Sequence, residues 1–137
     1  MSSSLSIVVV THDSEDDLRR LVGSLDHHLT DRPQLVVVDT GSRDASTEVA
    51  REAGAEVVEL SSQSGFGAAN NVGLQRARAA VTAMLNPDIE LQDQALERLV
   101  ARARAQHALV VPRLVGIDNR AQKTAHPIPG SPEAFAV

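Results

Sequence analysis

Leu5–Asp39 reads LSIVVVTHDSEDDLRRLVGSLDHHLTDRPQLVVVD, and the order of its parts decides the fold. Ser6–Val10 (SIVVV) is a β-branched run suited to a strand buried on both faces. Leu18, Leu21, Val22, Leu25 and Leu29 then recur on one helical face, opened by Ser14 as the N-cap. Leu35–Val38 is a second apolar run, entered from Pro33 and left through Asp39. Two buried strands joined by a helix of this length pair in parallel with a right-handed crossover.

The same alternation continues along the chain. A helix from about Asp44 to Ala53 stops at Gly54, and Glu56–Leu60 is the third strand. A glycine-broken loop, Ser61–Gly67, leads into a small-residue helix from about Ala68 to Ala79. Val81–Leu85 is the fourth strand. Asp93 caps a helix that turns Leu96, Leu99, Val100 and Ala103 inward, and Ala108–Val111 reads as a fifth strand. After Pro112 the pattern decays into Gly, Pro and polar residues. The expectation is an α/β fold in three layers with a mostly parallel sheet that ends after about five strands.

Composition narrows the function. The chain has 137 residues, one domain's worth, with 13 basic against 18 acidic side chains and a net charge of −5. No basic run and only two aromatics, Phe66 and Phe135, argue against a nucleic-acid surface. The absence of cysteine removes disulfides, thiol catalysis and zinc–thiolate sites together. Apolar runs stop at about four residues, far short of a transmembrane segment, and Met1-Ser2-Ser3-Ser4 lacks the charged-then-apolar order of a signal peptide. The expected compartment is the cytoplasm, with peripheral association at the inner membrane face as the variant. High Ala and Arg with a single lysine, Lys123, suggest a bacterial genome rich in GC.

Ligands of open parallel sheets bind beyond the carboxyl ends of the strands. Here Thr11-His12-Asp13 follows strand one and Asp39-Thr40-Gly41-Ser42 strand two. Gln63-Ser64-Gly65-Phe66-Gly67 and Asn70-Asn71 follow strand three, and Asn86-Pro87-Asp88 strand four. Four such polar ends on one rim predict a site. Asp39 either accepts hydrogen bonds from a ribose or base edge, or closes an Asp-Thr-Gly turn. Asn86-Pro87-Asp88 taken alone reads as a turn, although Asp88, with the Asn86 amide oxygen nearby, can also hold Mg²⁺ or Mn²⁺. Gly65 and Gly67 open a helix whose N–H groups suit a phosphate; equally, small residues there allow close helix–sheet packing. Asp44 reads as an N-cap, Glu15-Asp16-Asp17 as helix-start charge, and His27 and His28 as partners of the helix dipole. His107 and His126 show no metal-ligand spacing.

Two nucleotide folds are excluded. A dinucleotide-binding domain needs glycines after strand one, where this chain has His12-Asp13-Ser14-Glu15-Asp16-Asp17. A response-regulator receiver needs an aspartate after strand three and a lysine after strand five; Leu60-Ser61 and Pro112-Arg113 stand there.

The motifs resemble the family 2 glycosyltransferases of the GT-A, Rossmann-like fold, especially the rhamnosyltransferase-like branch. The resemblance rests on Ile7–Asp13 (IVVVTHD), Val36–Asp44 (VVVDTGSRD), Gly65–Leu74 (GFGAANNVGL) and Leu85–Asp88 (LNPD), over roughly residues 5–115. It implies a nucleotide-diphosphate-sugar donor, a divalent metal, and transfer with inversion at the anomeric carbon. It implies substrate contacts by Thr11, His12, Asp13, Asp39, Gly65, Asn71, Asn86 and Asp88, with Asp88 on the metal. Residues 1–115 then form the donor-binding domain, and 116–137 an irregular tail leading towards an acceptor half, where the family carries its catalytic base. Asp118, His126 and Glu133 are the late candidates for that base, and none sits in a matching motif. The chain departs from the family at His12-Asp13, where Tyr-Asn is usual, and at Thr40 and Gln63, where Asn is common. The acceptor is left open, a homo-oligomer is a further expectation, and a non-catalytic nucleotide-sugar-binding module is the alternative function.

Overall fold

The computed structural model describes residues 4–122. Four strands, β1 (Leu5–Thr11), β2 (Gln34–Asp39), β3 (Glu56–Glu59) and β4 (Val81–Leu85), form one sheet in the order β3-β2-β1-β4. All three pairings are parallel. The helices are α1 (Glu15–His28), α2 (Ser46–Glu52), α3 (Phe66–Arg76) and α4 (Ala95–Gln106). The alternating direction of side chains along a strand divides the core in two. Leu5, Ile7, Val9 and Val37 pack against Leu18, Leu21 and Leu25 of α1, Val49 and Ala50 of α2, and Leu96 of α4. On the other face Val8, Val10, Val36 and Val38 meet Ala69 of α3. The three-layer α/β reading holds, and β1 is buried along its whole length because both neighbours and both faces cover it.

Small residues set how closely α3 approaches. A Cβ built on Gly73 would come closer than 3.0 Å to Val8 Cγ1 and lie 3.3 Å from Val38 Cγ2, so the helix backbone rests directly on the sheet. Gly54 (φ +76) ends α2 as expected. Its N–H donates to Arg51 O (2.9 Å) and that of Ala55 to Ala50 O (3.0 Å), the paired bonds of a Schellman stop.

At the other end of the sheet, Ser6 joins three segments. Its hydroxyl donates to Gln34 Oε1 (2.6 Å) and accepts from the N–H groups of Arg78 (3.2 Å) and Ala79 (3.0 Å). Gln34 Nε2 in turn donates to Arg76 O (2.8 Å), so the end of α3 is tied to the entry of β4.

One expected element is missing. Ala108–Val111 is not a strand, and among the described residues the sheet stops at four. Helix α4 ends at His107 in a left-handed conformation (φ +48), and residues 108–111 then pair with no strand. Leu109 is 94% exposed and Val111 64%, so the run buries too little to form a ladder. Apolar β-branched residues favour a strand only where a neighbouring strand and a core receive them. Among the described residues no helix is long and apolar enough to cross a membrane.

Candidate functional site

Because all four strands are parallel, the loops that follow them share one rim. The chain leaves β1 towards β2 and β3 on one side and returns to β4 on the other, so the switch point lies between β1 and β4.

Two of the loops are laced together. His12 Nδ1 donates to Thr40 O (2.9 Å), which fixes the proton on that nitrogen, and Nε2 lies 3.6 Å from Asp13 Oδ2. Asp13 takes the left-handed region (φ +46), its N–H donates to Ser42 Oγ (2.9 Å), and its Oδ1 accepts from the Arg43 N–H (2.6 Å). Ser14 N–H donates to Ser46 Oγ (3.0 Å), and Ala45 N–H to Glu15 Oε2 (3.3 Å). Ser14 occupies the N-cap of α1, yet its hydroxyl turns back to His12 O (2.8 Å) instead of capping. The acceptor for the first turn of α1 is Asp44, whose Oδ2 takes the Glu15 N–H (3.0 Å). Its Oδ1 takes the N–H (3.0 Å) and hydroxyl of Ser46, so one carboxylate serves the starts of two helices. The Ser46 hydroxyl is the largest influence holding the Asp44 carboxyl below its ordinary range; burial opposes it, and the Glu15 and Ser46 N–H groups add to it. Asp93 is likewise held low, first by its hydrogen bond from Arg98 and then by the Ala95 N–H that it caps.

Asp39 closes its own turn. Oδ2 accepts from the N–H groups of Gly41 (3.0 Å) and Ser42 (2.9 Å), and Oδ1 accepts the Ser42 hydroxyl. It is 2% exposed, so the turn-closing role is realised in full. Gly41 is required twice over, by φ +83 and by the Ser62 backbone about 3.1 Å from where a Cβ would stand. Thr11, the cross-strand neighbour of Asp39, is buried beneath the rim. Its carbonyl accepts from Thr40 N–H (3.0 Å) and Thr40 Oγ1 (3.2 Å), while its own Oγ1 has no partner among the described residues.

The other side of the switch point is open. Asn86-Pro87-Asp88-Ile89 is a turn closed by the Ile89 N–H on Asn86 O (3.2 Å). Asn86, Asp88 and Glu90 are exposed, and the carboxylates of Asp88 and Glu90 have no partner among the described residues. At the start of α3, a Cβ on Gly65 or Gly67 would meet nothing within 4 Å. Gly65 (φ −69) also lies where any residue can sit. Neither packing nor backbone geometry therefore demands these two glycines, unlike Gly73. The two asparagines divide: Asn70 is buried with Nδ2 donating to Phe66 O (3.0 Å), and Asn71 is exposed.

Among the described residues one cavity lies beside the loops after β1 and β2 and another lies away from the rim. The first, about 380 Å³, is lined by Asp13–Asp17, Arg20 and Asp44. The other, about 220 Å³, lies at the opposite end of the sheet beside Pro33, Gln34 and Gly54. Thr11, Asp39, Asn71 and Asp88 line neither. Thr11, Asp39 and Asp88 belong to strand ends on one rim, the first two beneath its surface and Asp88 upon it, whereas Asn71 is exposed further along α3. No group of three His, Asp or Glu able to hold a metal occurs among the described residues. His126 and Glu133 lie outside the described residues, and Asp118 is a turn residue whose Oδ1 accepts the Arg120 N–H (3.1 Å). Sequence reasoning missed Ser42, which joins Asp39 to Asp13; its spacing three residues after Asp39 was the available signal.

The sequence model described as Glycosyl transferase family 2 matches residues 6–133. The chain belongs to this family. A Bacillus subtilis (strain 168) protein carrying the glycosyltransferase name EpsH is 26% identical over 113 residues, covering 79% of this chain and 33% of that one. The structure of S. aureus TarS 1–349 in complex with UDP-GlcNAc superposes with a TM-score of 0.62 at 23% identity, over 78% of this chain and 32% of that one. Glucosyl-3-phosphoglycerate synthase from Mycobacterium tuberculosis, solved with Mn²⁺, UDP and glucosyl-3-phosphoglycerate, gives 0.60 at 18% identity, over 74% and 39%. The fold of this family 2 chain is the GT-A, Rossmann-like one. It spans about a third or less of the length of the curated relatives that it matches.

Proposed function

We propose that residues 1–115 are the donor-binding part of an inverting glycosyltransferase that takes a nucleotide-diphosphate-sugar across the β1–β4 switch point. The observation that carries this reading is Asp88. The carboxylates of Asp13, Asp39, Asp44 and Asp93 are all engaged by neighbours, whereas Asp88 projects at the end of β4 with its oxygens free of partners among the described residues. At the end of β3, Gly65 and Gly67 leave the first amides of α3 open to a diphosphate, and that helix start carries no acidic side chain to repel one.

The donor set fits a hard divalent cation such as Mg²⁺ or Mn²⁺. Such ions commonly take one or two carboxylates and complete their shell with phosphate oxygens and water. Asp88 would hold the ion, with Asn86 beside it, and the bound ion would supply Lewis-acid stabilisation to the departing diphosphate. Asn71, exposed on α3, faces the donor, and His12 offers an exposed ring held in one orientation by Thr40 O. Thr11 and Asp39 act from below: they fix the height of the His12–Asp13 and Thr40–Asp44 loops. Inversion requires a general base on the acceptor side, which we assign to chain beyond the donor part.

Calorimetric titration of UDP, GDP and dTDP with and without Mn²⁺ tests the proposal. Binding should strengthen with Mn²⁺, and Asp88→Ala should lose about tenfold or more of that metal-dependent affinity, the cost of removing a charged ligand. Absence of binding by all three nucleotides, or the same affinity in Asp88→Ala, would refute it.

A further inference from the structure

Residues 12–14, 40–45, 60–65 and 86–94 join each strand to the helix that follows, and Arg43 is the only Lys or Arg among them. The same loops carry Asp13, Asp44, Asp88, Glu90 and Asp93. A guanidinium in such company ordinarily folds onto a carboxylate, as Arg19, Arg20, Arg51, Arg76 and Arg98 do elsewhere on this chain. Arg43 does not. It is exposed, and its side chain has no hydrogen bond or ion pair among the described residues.

The reason lies in its two neighbours. Asp13 gives Oδ1 to the backbone N–H of Arg43 itself and turns Oδ2 towards His12. Asp44 gives one oxygen to the start of α1 and the other to the start of α2. One oxygen of Asp13 and both oxygens of Asp44 are thus taken by other donors, and the second oxygen of Asp13 faces the His12 ring rather than Arg43. The base of the side chain is meanwhile pinned, since the chain of bonds Asp39–Ser42–Asp13–Arg43 ties it to the tips of β1 and β2. A planar guanidinium with its donors free, anchored at the backbone, is suited to bidentate contact with a phosphate.

We infer that Arg43 is a binding residue for the phosphate of the nucleotide donor, its neighbours Asp13 and Asp44 being engaged by other donors and by the His12 ring. The inference rests on the donor-site reading above and assigns the rim a contact separate from Asp88.

The test is an NMR titration of the 137-residue chain with UDP, GDP and dTDP and with the corresponding nucleosides, in Mn²⁺-free buffer containing EDTA. Arg43→Gln is compared with wild type and with Arg113→Gln, which removes the same charge from an exposed position beyond α4. Arg43→Gln should weaken the nucleoside diphosphate about tenfold, the scale of one charge-assisted hydrogen bond. It should leave nucleoside affinity unchanged, and Arg113→Gln should bind like wild type. Unchanged diphosphate affinity in Arg43→Gln overturns the inference. An equal loss for the nucleoside moves the contact to base or sugar and also overturns it, as does an equal loss in Arg113→Gln, which would mark a general charge effect. If wild type binds no nucleotide here or with Mn²⁺, the donor-site reading falls and this inference with it; if wild type binds and Arg43→Gln binds the diphosphate equally well, this inference alone fails.

Discussion

The two glycines inside α3 make opposite predictions. Replacing Gly73 by alanine puts a methyl closer than 3.0 Å to Val8 Cγ1 and 3.3 Å from Val38 Cγ2, where carbon atoms are comfortable at about 3.5–4.0 Å. Val8 and Val38 are fully buried at the centre of the sheet and cannot retreat, so α3 must lift. Overpacking a close-packed core costs about 1–3 kcal/mol, and this clash belongs at the upper end. The better helix propensity of alanine returns about 1 kcal/mol. The net expectation for Gly73→Ala is a loss of about 2 kcal/mol, which lowers a urea midpoint by about 1 M for a chain of this size. Gly67→Ala meets open space inside the same helix and should gain up to about 1 kcal/mol from propensity alone. If phosphate closes on the α3 amides, that stabler variant should also bind nucleotide less well. The chain has no Trp or Tyr, so far-UV circular dichroism at 222 nm is the suitable unfolding probe. Gly73→Ala as stable as wild type would refute the seating of α3 on Val8. Gly67→Ala binding nucleotide undiminished would return that glycine to mere tolerance.

Other outcomes follow from single groups. The Asp44 carboxyl is held below its ordinary value, so its contribution to stability is complete above about pH 4, the unfolded-state value. That contribution is lost as pH falls through the lowered folded value; urea unfolding at neutral pH and near pH 3 should show a shallower acid loss in Asp44→Asn, and an identical acid slope would count against the double cap. Ser6→Ala leaves the Ala79 N–H without its acceptor while Arg78 N–H keeps Gln34 Oε1 (2.9 Å), so a loss of about 1–2 kcal/mol is expected in the same assay. No measurable loss would mean that the α3–β4 junction holds without it.

Much of the fold and part of the site were legible from one dimension. The β-branched runs of β1 and β2, the amphipathic stripe of α1 and the Gly54 stop are local features, because side-chain period and positive-φ tolerance are properties of short segments. The parallel sheet, and hence a shared rim for Asp39, Gly65 and Asp88, follows from connection length and handedness. Ala108–Val111 misled for the complementary reason: its composition suits a strand, but strand formation needs a neighbour that composition does not describe.

Burial and partnership were decided only in three dimensions. Sequence placed Thr11, Asp39 and Asp88 at equivalent strand ends, and packing put the first two beneath the surface and left the third upon it. Asn70 and Asn71 are adjacent in the chain, yet the helical turn sends one to the core and the other to solvent. Asp44 was readable as a cap for its own helix; that it also receives α1 depended on two loops arriving side by side. A residue's type and period are written along the chain, whereas which lone pairs remain free depends on every group that folding brings within reach.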